Sequence, residues 1–262
     1  LQFGEPINLN ALLKEYPLSD YSSEKDWLFK VTPVLGKKIM TTINDSTVVT
    51  STALFSLAIL NSDGFSISNR ELVTRIELLK SLLVEDKYSA KTLICEKTGE
   101  EIIDQMRKLG FLSKEGINDR ISLTNLEAAK LSFYRNNISH LLIFESLICG
   151  FFQYQKEIVK EDLLQSIKMI YPFLKEEFFL KWDETDLDQL INLKLNKLMN
   201  KNLILENSNV FRRPDFKSME FYETQSLGKL VQPSIDRFYV LISQLWKNSE
   251  EHISKNELER NS

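Results

Sequence analysis

Apolar residues recur at helical spacing along most of this chain, and the first clear set forms three consecutive helices. The pattern predicts an apolar helix over 51–60, a second helix over about 65–84 and an amphipathic helix over 99–109. Alternating residues over 111–123, interrupted by a polar turn, then predict a β-hairpin. The resulting order is helix, helix, helix, hairpin, which is the order of a winged helix.

The same order of elements recurs further along the chain. An apolar helix is predicted over 138–152, followed by helices over 157–171 and 186–202. A hairpin is predicted over 203–212, and an apolar helix over 237–246 indicates the start of a third unit. The sequence therefore predicts a mainly α fold with tandem winged-helix-like units, each of three helices and a small β-hairpin.

One spacing is shared by all three units. In each, an isoleucine precedes a leucine by five residues, and an acidic residue stands immediately before that leucine. The pairs are Ile67 and Leu72, Ile158 and Leu163, and Ile253 and Leu258. This spacing fits a core residue, a helix start and an acid in the positive first turn of the helix.

The predicted division of the chain is 1–33 as the end of a preceding domain with a connector, 34–133 and 134–216 as two helical units, and 217–262 as the start of a third.

The first part of the chain shows less regular patterning. Residues 2–6 are expected to end a strand, because Gly and Pro stop it, and Asn8 is expected to cap a short helix over 9–14. The stretch 15–33 contains two prolines and many polar residues. It is predicted to be a connector with a short amphipathic piece around Trp27.

Bulk composition agrees with a globular, helical protein. Hydrophobic residues make up 43% of the 262 residues, with only eight glycines and six prolines. The formal charge of −4 argues against general binding of polyanions, because neutralising phosphates requires a basic surface. The longest apolar run, over 140–152, is far shorter than the ~20 residues that span a bilayer, so no transmembrane helix is predicted.

His140 and Glu145 have the spacing of a catalytic base and its acid. Residues five apart on one helix point about 140° away from each other, so the two side chains would not converge on one substrate. The residues between them are mostly apolar, which favours a buried, hydrogen-bonded histidine over a catalytic one. A structural role is therefore predicted for His140.

A polar group, Tyr134, Arg135, Asn136 and Asn137, precedes the predicted apolar helix over 138–152. One of the two asparagines is expected to cap that helix. Arg135 is expected to bind either a carboxylate from another segment or an anionic ligand. Both interpretations of Arg135 stay open at this point.

Other reactive side chains give no sign of a site. Cys95 and Cys149 stand in apolar contexts without a cysteine or histidine at metal-binding spacing, which indicates packing residues in a reducing compartment. His252 is isolated in the sequence. No metal site, cofactor or phosphate-binding glycine loop is therefore predicted.

The winged-helix order raises DNA binding as a function, through the helix over 186–202. The first half of that helix is acidic, whereas Lys194, Lys197 and Lys201 fall in its second half. Together with Lys37, Lys38, Arg212 and Arg213 they are dispersed along the chain, and most of this set is expected to lie on a solvated face. Because the end that normally enters the DNA groove is acidic, nucleic-acid binding is disfavoured.

Several longer motifs resemble a known enzyme family. They are Tyr134-Arg135-Asn136-Asn137 with His140, Ser146-Leu147-Ile148, the segment from Ile170 to Trp182, Phe3-Gly4-Glu5-Pro6, Lys87-Tyr88-Ser89-Ala90 and Asp236-Arg237-Phe238-Tyr239. Together they resemble the carboxy-terminal region of bacterial membrane-bound glycerol-3-phosphate 1-O-acyltransferases. The resemblance covers nearly the whole chain.

The resemblance implies an activity for the full-length protein. Enzymes of this family transfer an acyl group from acyl-CoA or acyl carrier protein to the 1-hydroxyl of sn-glycerol 3-phosphate. They are peripheral proteins at the cytoplasmic side of the inner membrane, and no metal or prosthetic group is implied. Their catalytic His-x-x-x-x-Asp motif precedes the Phe-Gly-Glu-Pro segment and does not occur in this sequence.

The chain is therefore expected to be the carboxy-terminal helical region of such an enzyme, cut at both ends and inactive without the catalytic domain. No catalytic or substrate-binding residue is assigned, and Tyr134, Arg135, Asn136, Asn137 and His140 are expected to be structural motif positions. The expected roles are support of the catalytic domain and contact with the membrane surface. The alternatives are a winged-helix regulator that binds nucleic acid and an interaction scaffold for other proteins of lipid synthesis.

Overall fold

The computed structural model describes residues 2–112 and 119–247, and this part of the chain is mainly α-helical, as predicted. Its α-helices are α1 Leu9–Glu15, α2 Glu24–Asp45, α3 Ser51–Leu60, α4 Asn69–Glu85, α5 Gly99–Lys108, α6 Asn125–Asn136, α7 Ile143–Phe151, α8 Lys160–Phe178, α9 Leu187–Asn200, α10 Met219–Gly228 and α11 Gln232–Lys247. Its short strands are β1 Val48–Val49, β2 Ser66–Ser68, β3 Leu93–Ile94, β4 Arg120–Ser122, β5 Glu157–Val159, β6 Leu205–Asn207 and β7 Val210–Arg212.

The first unit is built around α3, a helix that is apolar on nearly every side. Its residues are buried almost throughout, and α4, α5 and α6 pack around it. The Thr50 side chain caps its start by accepting a hydrogen bond from the N–H of Ala53. The two-residue strands β1 and β3 pair in parallel. Because a helix that is apolar all round needs neighbours on every side, α3 fixes the centre of the unit.

The second unit repeats this arrangement around α7. That helix is buried along most of its length, and α8, α9 and α10 contact it. In each unit, a strand that precedes the second helix pairs with a later strand. Ile67 in β2 lies opposite Ile121 in β4, and Ile158 in β5 lies opposite Phe211 in β7. The isoleucine of the repeated spacing is thus a core residue of a small antiparallel sheet.

The backbone hydrogen bonds at the ends of these sheets have the same register in the two units. They run from Leu123 N to Phe65 O (3.1 Å), from Asn69 N to Asp119 O (2.9 Å), from Arg213 N to Lys156 O (3.0 Å) and from Lys160 N to Asn209 O (2.9 Å). Each involves a residue two positions from the central isoleucine, Ile67 or Ile158. The repeat is therefore present in the backbone. That the units belong to the winged-helix class stays a prediction.

A closing helix extends each unit beyond its sheet, and the sequence pattern does not predict it. Helix α6 follows β4 and packs against α3, whereas α10 follows β7 and packs against α7. Thr124 caps α6 and Ser218 caps α10. The apolar period of α10 is weak because polar residues, including Glu223 and Thr224, occupy buried positions.

The predicted connector over 15–33 is wrong for residues 24–33, which belong to helix α2, whereas residues 16–23 contain no α-helix. Helix α2 begins at Glu24, where the Ser23 hydroxyl oxygen accepts a hydrogen bond from Asp26 N at 3.2 Å, and the helix continues through Pro33. These polar residues form a helix start, because acids are favourable at the positive end of a helix. The predicted boundary after residue 33 falls inside α2, and the division of the chain into four segments stays a prediction. Helix α1, with its asparagine cap, is confirmed.

The predicted apolar helix over 138–152 is not continuous. A 3₁₀ turn over Ser139–Leu142 precedes α7. Asn136 and Asn137 consequently stand at the end of α6 instead of capping the next helix. The predicted hairpin over 203–212 is confirmed, with β6 and β7 paired.

Parts of two predictions lie outside the described residues. Residues 113–118, which contain most of the first predicted turn, and the segment 252–258 are not described. Phe111 and Leu112 form no strand, and β4 pairs with β2 instead. The helix predicted over 237–246 is part of α11.

Across 2–112 and 119–247, no helix combines the length and apolar character needed to cross a bilayer.

Helices α7 and α10 approach each other closely at two glycines. A Cβ on Gly228 would lie 2.9 Å from Gly150 N and 3.0 Å from the carbonyl carbon of Cys149. Both neighbours are backbone atoms, which cannot turn away as a flexible side chain can. The packing of α10 on α7 therefore requires the absence of a side chain at Gly228.

Gly228→Ala is expected to destabilise the protein by about 1–3 kcal/mol, because the two backbones must move apart. The midpoint of urea unfolding measures the change. Gly36→Ala is the matched control, since Gly36 lies inside α2 and nothing is within 4 Å of the added Cβ. The control should leave stability unchanged or raise it by ~0.5–1 kcal/mol. Equal effects of the two substitutions would contradict the close contact.

Candidate functional site

His140 is enclosed where the two units meet. Its Nε2 lies 3.3 Å from Oγ1 of Thr47, and the Tyr88 ring stands edge-on to the imidazole with the centroids 5.1 Å apart. Trp182 packs edge-on against Tyr88 at 4.8 Å. His140 is only 4% exposed. The imidazole therefore connects the second unit to residues of the first without an open side toward solvent.

Glu145 lies in a different environment, a buried ionic cluster of four charged side chains. Lys194 Nζ lies 3.1 Å from Glu145 Oε1, and Lys197 pairs with the same oxygen. Asp86 pairs with Lys194, and its Oδ2 lies 3.9 Å from Lys197 Nζ. Lys197 also donates to the carbonyl of Leu82 at 3.1 Å. The two carboxylates and two ammonium groups balance each other in charge.

The buried ionic cluster joins the two units. Glu145 stands on α7, the lysines stand on α9, and Asp86 directly follows α4. Burial by itself would raise the pKa of Glu145, but the charges of Lys194 and Lys197 outweigh burial and hold this pKa below its usual value. Glu145 is therefore ionised at neutral pH. In the described residues, His140 takes no part in the cluster, so the two residues do not form a base–acid pair.

The prediction of a solvated face is wrong for Lys194 and Lys197. Lys194 and Lys197 are only 3% and 6% exposed, because both reach the buried ionic cluster. Lys201 pairs with Glu85 at the end of α4. The three lysines therefore hold the units together and are not displayed toward a DNA groove.

Glu145→Gln should destabilise the protein strongly. The substitution leaves two buried ammonium groups with Asp86 as their remaining carboxylate, and breaking a buried ion pair costs about 3–5 kcal/mol. Denaturant unfolding followed by circular dichroism measures the loss. Glu176→Gln is the matched control, because Glu176 pairs with Lys37 at the surface and should change stability by less than ~1 kcal/mol. A loss no larger than that of the control would exclude the cluster as a major contribution.

Neutral His140 predicts a pH dependence of stability. Burial lowers its pKa to about 4 in the folded protein, against about 6.5 in the unfolded chain, so between these values the unfolded state binds more protons. The corresponding stability is present above about pH 6.5 and is lost as the pH falls toward about 4. Urea unfolding across this range should show the slope, and His140→Gln should remove that part of it. The same slope in both proteins would show that the pKa of His140 is not lowered in the folded protein.

The cysteines show no arrangement for chemistry. Burial raises the pKa of the Cys149 thiol, and Cys95 Sγ lies 3.2 Å from Ser51 Oγ. Both cysteines are free thiols. Within the described ranges, no group of three His, Cys, Asp or Glu side chains is placed to hold a metal ion.

A polar cleft of about 290 Å³, here called the arginine cleft, lies where α6, α8 and α11 meet. Its polar lining consists of Arg135, Asn136, Ser139, Glu177, Ser234 and Arg237. Arg135 comes from α6, Glu177 from α8 and Arg237 from α11. Three segments that are far apart in sequence therefore converge here, and each carries one of the family-like motifs.

Hydrogen bonds fix the α11 wall of the arginine cleft. Ser234 Oγ donates to Glu177 Oε1 at 2.8 Å, and Arg237 pairs with the same oxygen. Behind this wall, buried Ser146 accepts a hydrogen bond from Val231 N at 2.9 Å, immediately before α11 begins. Ser146 thus anchors the start of α11, the helix that carries Ser234 and Arg237.

Arg135, on the α6 side, has different partners. Its guanidinium donates to Asn136 Oδ1 at 3.2 and 3.3 Å. The side chain is half-buried, and burial lowers its pKa. Among the residues that the structure describes, no carboxylate pairs with it. The carboxylate partner that the sequence offered as one interpretation is therefore not found in this part of the chain.

Comparison with known proteins identifies the family. The profile described as the glycerol-3-phosphate acyltransferase C-terminal region matches residues 1–262. The chain belongs to that family. Proteins named glycerol-3-phosphate acyltransferase from Pseudomonas fluorescens and Pseudomonas aeruginosa are similar to it, at 28% and 27% identity over 99% of the chain. The chain spans about a third of the length of these curated relatives, 32% of each. The resemblance inferred from the motifs is thus confirmed.

The sequence patterns do not predict two features of this acyltransferase C-terminal region. The buried ionic cluster has one signal in the sequence, because Glu145 interrupts an apolar run and a buried acid requires a cationic partner. The arginine cleft has a weaker signal, because Arg135 and Arg237 both stand in family-like motifs. Neither signal indicates which distant residues meet. That five motif positions from Tyr134 to His140 are structural stays a prediction.

Proposed function

We propose that this chain is the carboxy-terminal helical region of a glycerol-3-phosphate 1-O-acyltransferase and that it supports the catalytic domain without being catalytic itself. The match of the family profile over residues 1–262 supports the first part. The proposed reaction of the full-length protein is acyl transfer from acyl-CoA or acyl carrier protein to sn-glycerol 3-phosphate. Its proposed location is peripheral, at the cytoplasmic side of the bacterial inner membrane.

An exposed apolar stripe on α2, here called the α2 face, supports docking to the catalytic domain. The α2 face consists of Leu28, Phe29, Pro33, Ile39, Met40 and Ile43. At 100° per residue these side chains fall within about 140° of one another, so they lie on one side of the helix, with Thr32 and Gly36 between them. Phe29 is 80% exposed, which is unusual for a residue of this size. The stripe is too regular to be a set of scattered surface residues.

Helix α2 buries few of its residues against the rest of the region. Of its 22 residues only Val31 and Asn44 are buried, and Asn44 donates to the carbonyl of Phe178 at 2.7 Å. A large exposed apolar stripe indicates an interaction surface. The relatives extend beyond the aligned third, and the family is the carboxy-terminal region of such proteins. The preceding catalytic domain is therefore the proposed occupant of the α2 face.

A nucleic-acid-binding role has less support than this one. It would use the cationic half of α9, where Lys194 and Lys197 are buried in ion pairs. Reaching DNA phosphates with these side chains would require breaking the buried ionic cluster, at a cost of several kcal/mol.

A charge placed on the α2 face should impair the full-length enzyme without unfolding this region. Phe29→Glu and Met40→Glu are expected to lower acyltransferase activity roughly tenfold or more, because each buries a charge against the catalytic domain. Met169→Glu is the matched control, since Met169 is 71% exposed on α8, outside the α2 face. Activity in isolated membranes is the measurement. Circular dichroism of the separate region should be the same for all three variants.

Three outcomes decide the proposal. Acylation of glycerol 3-phosphate by the purified region alone would contradict a supporting role. Full activity of Phe29→Glu would contradict docking through the α2 face. Normal activity in detergent, combined with lost binding to phospholipid vesicles, would assign the α2 face to the membrane instead of the catalytic domain.

A further inference from the structure

We propose that the arginine cleft binds a phosphate group, presented either by a soluble phosphate or by a phosphate-bearing lipid headgroup. This goes beyond the proposed function, because it assigns a ligand site to the helical region itself. It stands on the geometry of the cleft, whether or not the α2 face contacts a catalytic domain.

The balance of charge in the arginine cleft favours an anion. Arg135 and Arg237 face a single carboxylate, Glu177, in a protein with a formal charge of −4. Arg237 already pairs with Glu177. Arg135 has no carboxylate partner in the described part of the chain, so one guanidinium is left without a counterion. The planar fork of a guanidinium matches the spacing of phosphate oxygens.

Neutral groups in the arginine cleft complement this charge. Oδ1 of Asn136 accepts from Arg135, which leaves its amide nitrogen without a hydrogen bond within the described residues. Pro233 and Ser234 line the cleft from the first turn of α11, a helix of 16 residues. The positive end of its dipole therefore lies at the cleft and favours an anion there. These groups add attraction for an anion without adding formal charge.

The size of the cleft limits the ligand. A volume of about 290 Å³ is near the lower end of small-molecule sites, which span roughly 300–1,000 Å³. It accommodates a phosphate with a short polar group attached. It does not accommodate a long acyl chain, so a lipid would present only its headgroup.

A second polar cavity does not support the same inference. Its cations include Arg75 and Lys229. Arg75 pairs with Glu223 and Lys229 pairs with Asp63. Both of these cations thus have a carboxylate of their own. The third cation of the lining, Arg120, donates to Ser66 and interacts with the charge of Glu71, a carboxylate of the same lining.

Calorimetric titration of the whole chain with inorganic phosphate tests the site. The unmodified protein should bind one phosphate per molecule. Arg135→Gln should weaken this binding about tenfold or more, because it removes charged hydrogen bonds to the anion. Arg70→Gln is the matched control, since Arg70 is exposed on α4 and outside the cleft, and it should bind as the unmodified protein does.

Glu177→Gln should change the affinity in the opposite direction. The amide keeps an oxygen that can accept from Ser234 and Arg237, but the substitution removes the only carboxylate among the described residues that line the cleft. Phosphate should then bind severalfold more tightly. If Glu177 had only a structural role, the substitution would lower the unfolding temperature and leave the affinity for phosphate unchanged. That result would count against the proposal.

Vesicles distinguish the two sources of phosphate. Binding to phosphatidylcholine vesicles that contain phosphatidic acid, lost in Arg135→Gln and absent with phosphatidylcholine alone, would assign a lipid headgroup. Binding of inorganic phosphate without vesicle binding would assign a soluble ligand, and both results support the site. No binding of either probe, or equal binding by Arg135→Gln and Arg70→Gln, would overturn it. Enzyme activity is not a readout here, so the outcome is independent of the test of the α2 face.

Discussion

The fold depends most on the buried ionic cluster, in which Glu145 and Asp86 pair with two lysines of α9. An unpaired charge would be strongly destabilising at the buried positions of Glu145, Lys194 and Lys197, so these three groups must come together, and the partly exposed Asp86 completes the balance of charge. They belong to the end of α4, to α7 and to α9, and their meeting fixes how the first unit sits against the second. A second buried pair, Arg75 with Glu223 at 2.9 Å, ties α4 to α10.

This junction also positions the surfaces that carry the proposed functions. Glu145 points into the buried ionic cluster, and the next residue, Ser146, accepts the hydrogen bond from Val231 that sets the start of α11. Helix α7 therefore connects the centre of the molecule to the wall of the arginine cleft. The α2 face lies outside this arrangement, with Phe29 and its neighbours exposed. The core thus supports both the arginine cleft and the α2 face.

The sequence predicts what local patterns determine. The isoleucines Ile67 and Ile158 correctly mark strands followed by helix starts, because side-chain periodicity and capping act over a few residues. The sequence does not predict the burial of Lys194, because the spacing of the lysines fits a solvated face equally well. Only the positions of the distant carboxylates in the folded protein show that Lys194 is buried. The stretch before Pro33 fails for a related reason, since its polar residues cap a helix as readily as they form a connector. The arginine cleft combines three distant segments, which no periodicity brings together.

Native-state hydrogen exchange tests most directly whether the buried ionic cluster makes the two units one body. The slowest amides of α4 and of α7 should exchange through the same global opening, with one free energy and one denaturant dependence. Exchange of α4 through a separate opening of lower free energy, while α7 and α9 stay protected, would contradict a junction that fixes the units together.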